Sequence, residues 1–83
     1  METLLSWQAV PFARDYRPVL GATIRAHRKR AGFSLEVLAE KADLHHNFLG
    51  RVERGEEYIS VSALLRISRA LQVTMPDLFK DVG

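Results

Sequence analysis

A short segment that begins at His46 carries three side chains able to make directed hydrogen bonds. His46, Asn47 and Arg51 fall at positions i, i+1 and i+5, so a helix would place them together, opposite Leu49 and Val52. Amide and guanidinium groups can each make two hydrogen bonds to one planar partner, such as the edge of a nucleic-acid base. A solvated polar surface has the same composition, so the elements around this segment decide between the two interpretations.

Catalysis and metal binding find no support in the sequence. The chain has no cysteine, which excludes disulfides, thiol catalysis and Cys-based zinc sites. Ser34, Ser60 and Ser62 fall at cap or helix positions, and no nucleophile, base and orienting group come together. Adjacent residues of a helix face different directions, so His45 and His46 are not expected to share a metal ion. We therefore expect that the protein is not an enzyme and that it binds neither a cofactor nor a metal ion.

The length and the charge distribution narrow the class of protein. Eighty-three residues suffice for one domain. A domain of this size buries only about 60% of its unfolded surface, so dimerisation would add needed stability. The net charge is only +2, but six basic residues fall close together, opposed locally only by Asp15: Arg14, Arg17, Arg25, Arg28, Lys29 and Arg30. A basic face fits a polyanionic partner, but the ordinary interpretation is a solvated helix face.

Neither a membrane span nor a secretion signal is predicted. No apolar run approaches the roughly 20 residues that a membrane-spanning helix needs. Glu2 and the lack of a basic region before the first apolar stretch argue against a signal peptide. We therefore expect a cytoplasmic protein.

From Pro18 onward the apolar spacing is helical, and no stretch alternates as a half-buried strand would. The first predicted helix begins near Pro18, where a missing N–H costs nothing. Leu20, Ile24 and Ala31 would form its apolar stripe, and Gly32 would end it.

Two short helices separated by a tight turn follow. Ser34 is a suitable N-cap for the second helix, which buries Leu38 and Ala39 and ends at residue 41 or 42. Asp43 tolerates the left-handed backbone of a turn, and Leu44 is expected to plug the core. The third helix then covers about residues 46–53.

Capping residues also mark the last two predicted helices. Ser60 would cap the fourth helix, and Thr74 with Asp77 forms a capping-box variant for a short fifth helix. The apolar residues of these helices are Leu64, Leu65, Ile67, Leu71, Leu78 and Phe79. The predicted fold class is therefore all-α. In such a fold, helix 1 covers the second and third helices and lets the third enter the DNA major groove, which is about 12 Å wide.

Four stretches carry a resemblance to a known family: "LGATIRAHRKRAGFS", "LAEKADL", "FLGRVERGE" and "ISVSALLRISRALQVTMPDLF". Residues 20–79 resemble the Cro/repressor (Xre-type) helix-turn-helix family, which includes phage repressors, restriction-modification controller proteins and some antitoxins. The stretch "VERGEEYIS" is most similar to the controllers. The resemblance implies a five-helix repressor-like DNA-binding domain over residues 18–83, preceded by an N-terminal extension at residues 1–17.

The resemblance also implies roles for individual residues. His46, Asn47 and Arg51 match the positions that contact DNA bases, where Asn can pair with adenine and Arg with guanine. Arg28 and Glu53 match a structural salt bridge that locks the third helix against the first.

Contacts to the DNA backbone or sugars are expected mainly at the N-terminus of the second helix, where the helix dipole is positive. The expected residues are Ser34, Leu35, His45, Phe48 and Arg54. Phe48 either contacts a thymine methyl or sugar, or covers the end of the second helix. Gly50 either lets the helix approach DNA closely or reflects a tolerant surface site.

Two positions depart from the family pattern. Many members have glutamine where this chain has Leu35, and that glutamine contacts phosphate and braces a base-reading residue. Controllers often have arginine where Glu57 stands. The DNA sequence recognised is therefore expected to differ from that of these relatives.

Family members bind two half-sites as twofold dimers, with the reading helices about 34–36 Å apart. The resemblance implies a homodimer interface that contains Met75, Leu78, Phe79 and Val82. Leu78 is also a core candidate. The N-terminal extension is too apolar for a solvated tail, because it contains Leu4, Leu5, Trp7, Val10 and Phe12. It either packs on the protein or forms a mobile arm whose Arg14 and Arg17 contact DNA.

These inferences predict a transcription regulator that binds double-stranded DNA as a homodimer on a palindromic operator. No small-molecule effector is expected. The alternative is a protein-interaction module on the same fold, such as an antitoxin or an adaptor, which the acidic pair Glu56 and Glu57 and the apolar extension would suit.

Overall fold

The computed structural model describes residues 15–82, which form five helices and no strand. These helices are α1 (Arg17–Arg30), α2 (Leu35–Lys41), α3 (His46–Glu53), α4 (Val61–Leu71) and α5 (Met75–Phe79). The all-α prediction is confirmed. The apolar residues of the extension and Arg14 lie outside the described residues, so their two alternatives stay predictions. None of the helices in the described range is long and apolar enough to cross a membrane.

Side-chain caps fix the start of four helices, and in three of them the cap is a hydroxyl group. Val37 N–H donates to the Ser34 hydroxyl at 3.1 Å, and Ala63 N–H donates to the Ser60 hydroxyl at 3.0 Å. Thr74 and Asp77 form a complete capping box, and the hydrogen bond from the Thr74 backbone N–H lowers the pKa of Asp77. The predicted caps are confirmed because each is a contact between residues three apart, which the local sequence encodes.

The core lies between all five helices. α1 packs on α3 and α5, while α2 packs on α3 and α4. Buried apolar side chains fill the centre: Leu20, Ile24, Leu38, Ala39, Ala42, Leu49, Val52, Leu64, Ile67, Leu71 and Leu78.

Two predictions about apolar residues are wrong. Ala31 is exposed, because it is the C-cap that follows α1 and does not continue the buried stripe of Leu20 and Ile24. Leu78 has 0% of its surface exposed, so its assignment to the core is confirmed and its assignment to a dimer interface is wrong. Phe79, the next residue, is 37% exposed.

The turn between α2 and α3 has the predicted left-handed residue. Asp43 has φ of 55°, and the Leu44 N–H donates to the Ala39 carbonyl at 2.8 Å, which closes α2 in a Schellman motif. Leu44 is half-buried against the core. Arg66 of α4 donates to the Ala42 carbonyl at 2.8 Å, so the turn is fastened to the body of the protein.

Gly21 allows α1 and α3 to pack in close contact. A Cβ at this position would lie 2.3 Å from the Val52 carbonyl oxygen and 2.6 Å from that of Glu53. Both atoms belong to the backbone and cannot move aside. The sequence pattern alone does not identify this role, because a glycine inside a helix carries no signal for which backbone it approaches.

Candidate nucleic-acid interface

α3 is held in the protein by one face and exposes the other. Leu49 and Val52 are buried in the core. On the other side, His46 and Asn47 are exposed, and Arg51 is partly exposed. The three side chains that sequence analysis grouped therefore lie on the surface of a helix whose opposite side is fixed.

Arg28 and Glu53 join the ends of α1 and α3. Arg28 Nε donates to Glu53 Oε2 at 2.7 Å and Nη2 donates to Oε1 at 2.9 Å, a bidentate pair. Only 11% and 6% of the two side chains are exposed. The Glu53 carboxylate raises the pKa of Arg28, and a third hydrogen bond joins Arg28 Nη1 to the Phe33 carbonyl. Arg28 is therefore engaged inside the protein and does not belong to a basic outer face.

The start of α3 is capped by a histidine. His45 Nδ1 accepts from the Asn47 N–H at 3.1 Å, so any proton of the neutral ring lies on Nε2. The His45 and His46 rings stack, with centroids 4.7 Å apart, which contradicts the expectation that they face different directions. The reason is that His45 precedes the helix with an extended backbone, ψ of 135°. Within residues 15–82 no group of three His, Cys, Asp or Glu residues could hold a metal ion.

Two acidic residues that follow α3 pair with Arg51 of this helix and with its C-cap residue, Arg54. Arg51 Nε donates to Glu57 Oε2 at 2.9 Å, and Arg54 Nε donates to Glu56 Oε2 at 2.9 Å. The second pair raises the pKa of Arg54 and lowers that of Glu56. The sequence does not predict these two pairs, because the reversal of the chain after α3 decides which arginine each acid meets.

Gly50 does not lie on an open polar face. It is buried between α2 and the end of α3, and a Cβ would lie 3.3 Å from both Leu35 Cδ2 and Arg54 Nη1. Leu35 and Phe48 are half-buried and pack against the core. Leu35 therefore occupies space between α2 and α3, so it has a packing role where many relatives have a glutamine.

Tyr16 at the start of α1 and Tyr58 in the segment between α3 and α4 form a contact that the sequence did not predict. The Tyr16 and Tyr58 rings meet edge to face with centroids 5.9 Å apart, and the Arg17 guanidinium lies 4.1 Å from the centre of the Tyr58 ring. Arg17 also pairs with Asp15 at 2.6 Å. Arg17 is thus held by α1 and its neighbours and is not part of a mobile arm. No local signal joins residues 17 and 58, because 41 positions separate them.

Comparisons with known proteins agree with this geometry. Residues 19–80 match a family described as a helix-turn-helix domain. Control protein C.SmaI of Serratia marcescens is 33% identical over 69 residues, which cover 83% of this chain and 82% of C.SmaI. The HTH-type transcriptional regulator SlrR of Bacillus subtilis is 36% identical over 62 residues, which cover 74% of this chain but only 41% of SlrR. The crystal structure of the restriction-modification controller protein C.AhdI from Aeromonas hydrophila has a TM-score of 0.73 at 32% identity, covering 75% of this chain and 94% of that one.

Fold and site together define a helix-turn-helix protein in which α2 and α3 form the motif. The chain belongs to the Xre-type helix-turn-helix family, as its motifs predicted. C.SmaI is a control protein and SlrR is a transcriptional regulator, and neither of these relatives is an enzyme.

Proposed function

We propose that this protein binds double-stranded DNA sequence-specifically as a homodimer, on a palindromic operator, and so regulates transcription. α3 enters the major groove, and His46, Asn47 and Arg51 contact base edges. Asn47 suits adenine, Arg51 suits guanine, and His46 can donate to a guanine N7. The function needs no cofactor and no small-molecule effector. The named relatives are bacterial, and bacterial DNA lies in the cytoplasm, so we place the protein there.

The observation that carries this proposal is the two-sided character of α3. Its apolar side is buried, and its C-terminal end is locked by the Arg28–Glu53 pair, so the helix cannot rotate. Its opposite side presents an imidazole, an amide and a guanidinium. A rigid helix with such groups meets the geometric requirement for reading bases in the groove.

Contacts to phosphates and sugars would surround this helix. Ser34 and the backbone amide of Leu35 lie at the N-terminus of α2, before its first intrahelical hydrogen bond. His45 is exposed at the N-terminus of α3, and its Nε2 can donate to phosphate. Phe48 and Arg54 complete the proposed set, with Phe48 also packed on the core.

The proposed dimer uses the apolar residues that remain on the surface around α5. Met75 and Val82 are half-buried and Phe79 is exposed, whereas Leu78 is withdrawn from the interface because it lies in the core. A twofold dimer through α5 would present two copies of α3 to successive turns of DNA.

Selection of bound duplexes from a random pool tests the proposal directly. We expect a palindromic site whose half-sites lie about one turn, 34–36 Å, apart. Arg51→Ala should then cost about 1–3 kcal/mol of binding and relax the preference at one position in each half-site. Arg69→Ala, which removes the same charge from an exposed position on α4, is the control and should keep every preference.

A protein-interaction module is the second candidate function. The observation that favours it is that Glu56 and Glu57 already neutralise Arg54 and Arg51 at the proposed interface. Binding to duplex DNA at low salt without any sequence preference would favour this candidate and refute sequence-specific regulation.

A further inference from the structure

We propose that Glu57 is a specificity-determining residue, which holds Arg51 so that α3 requires guanine at one position of each half-site. This inference rests on the proposed function. Arg51 contacts the base, and Glu57 acts through Arg51 as a positioning residue.

A Schellman motif at the end of α3 brings Glu57 to Arg51. Gly55 has φ of 80°, a conformation that reverses the chain at little cost only for glycine. The Gly55 N–H donates to the Val52 carbonyl at 3.0 Å, and the Glu56 N–H donates to the Arg51 carbonyl at 2.9 Å. The backbone at Glu56 is therefore hydrogen-bonded to Arg51 in the last turn of α3, and this bond brings the next residue, Glu57, close to the Arg51 side chain.

The hydrogen bond between Arg51 and Glu57 leaves the two terminal nitrogens of Arg51 available for a base with two acceptors. Glu57 accepts from Nε, the donor nearest the chain, at 2.9 Å. Both terminal nitrogens, Nη1 and Nη2, remain for a ligand, and the guanidinium carbon lies 6.0 Å from the centre of the Phe48 ring. Guanine presents two acceptors in the major groove, O6 and N7, and the two terminal nitrogens match them end-on. Adenine presents a donor beside N7 and cannot match a group that has only donors.

The same carboxylate opposes binding that does not depend on sequence. It is an anion on the DNA-facing side of the protein, and phosphates dominate non-specific affinity. The Arg51 and Glu57 side chains remain 43% and 37% exposed, so their pair adds little to folding stability. Glu57 thus lowers non-specific affinity for DNA and raises the preference for guanine. Its removal should strengthen non-specific binding and weaken that preference.

Glu57→Met tests this exchange, because methionine keeps the length of the side chain and removes the acceptor. Binding is measured to the selected duplex, to the same duplex with the guanine pair replaced by an adenine pair, and to an unrelated duplex. We expect the preference for guanine over adenine to fall about fivefold or more. Binding to the unrelated duplex should tighten about twofold, because one negative charge is lost.

Glu56→Met is the matched control. Glu56 accepts from Arg54 Nε at the same distance of 2.9 Å, and the substitution removes the same negative charge. It should tighten binding to the unrelated duplex and keep the preference for guanine. In the Arg51→Ala background, Glu57→Met should leave the base preference at that position unchanged, because the residue through which Glu57 acts is gone.

Two results would overturn the assignment of Glu57. The first is that the wild type selects a defined site and Glu57→Met keeps the same preference for guanine. The second is that adding Glu57→Met to Arg51→Ala changes the base preference at that position. In both cases the proposed function stands. If the wild type selects no site at all, the proposed function itself fails, and the assignment of Glu57 fails with it.

Discussion

At the scale of single residues, two glycines on the α1 and α3 helices have opposite tolerance for a side chain. At Gly21 a methyl group would overlap backbone carbonyl oxygens of α3, 2.3 Å and 2.6 Å from the new atom. At Gly50 the nearest atoms, at 3.3 Å, are the ends of the Leu35 and Arg54 side chains, which can shift. Space, rather than backbone conformation, distinguishes the two positions.

We therefore predict that Gly21→Ala destabilises the protein by about 3 kcal/mol, the upper end of the usual range for overpacking, because backbone atoms cannot shift as a side-chain end can. Gly50→Ala should stay within about 1 kcal/mol of the wild type, because the better helix propensity of alanine offsets the tight contacts. Urea unfolding followed by circular dichroism measures both variants, and each serves as the control for the other. Equal destabilisation of the two would contradict the close approach of α1 and α3 at Gly21.

At the scale of elements, the orientation of α3 depends on a bidentate ion pair that is almost fully withdrawn from water. Glu53→Ala leaves the Arg28 guanidinium without its carboxylate partner, at 11% exposure. We expect a loss of about 3–5 kcal/mol in the free energy of unfolding, the order of magnitude for breaking one side of a buried pair. Urea unfolding at neutral pH measures this loss.

Replacing both partners of that pair tests whether the loss in Glu53→Ala comes from the unpaired charge of Arg28 or from the absence of the pair itself. Arg28→Met combined with Glu53→Leu should recover much of the lost stability, because no buried charge then lacks a partner. Glu56→Ala breaks an exposed pair and should change the unfolding midpoint little. A double variant as unstable as Glu53→Ala would show that the pair stabilises the protein by more than mutual neutralisation.

At the scale of the whole molecule, the proposed dimer requires an apolar surface outside the core. Phe79 is 37% exposed, so Phe79→Glu should leave the fold intact and raise the dimer dissociation constant at least about tenfold. Sedimentation across a range of concentrations measures this change. Val37→Glu adds the same charge at an apolar position of α2 with 40% exposure and should not affect dimerisation. Unaltered association of Phe79→Glu would remove α5 from the proposed interface.

The sequence by itself determined the helices, their caps and the polar side of α3. Each of these rests on contacts within about four residues, such as Ser34 with Val37 or Thr74 with Asp77. The sequence motifs also predicted the family, because they recur in a fixed order. The Arg28–Glu53 salt bridge implied by those motifs is present, whereas the implied DNA contacts, including those of Asn47 and Arg51, stay predictions.

Only the tertiary structure decided which distant residues meet. It buried Leu78 and exposed Phe79, placed Gly21 against the carbonyls of α3, and set Arg17 over Tyr58. It also paired Arg51, one of the proposed base-reading residues on the helix that begins at His46, with Glu57. Such contacts depend on the angles between helices and on reversals such as the one at Gly55. Those angles are set by packing over the whole chain and leave no pattern in the local sequence.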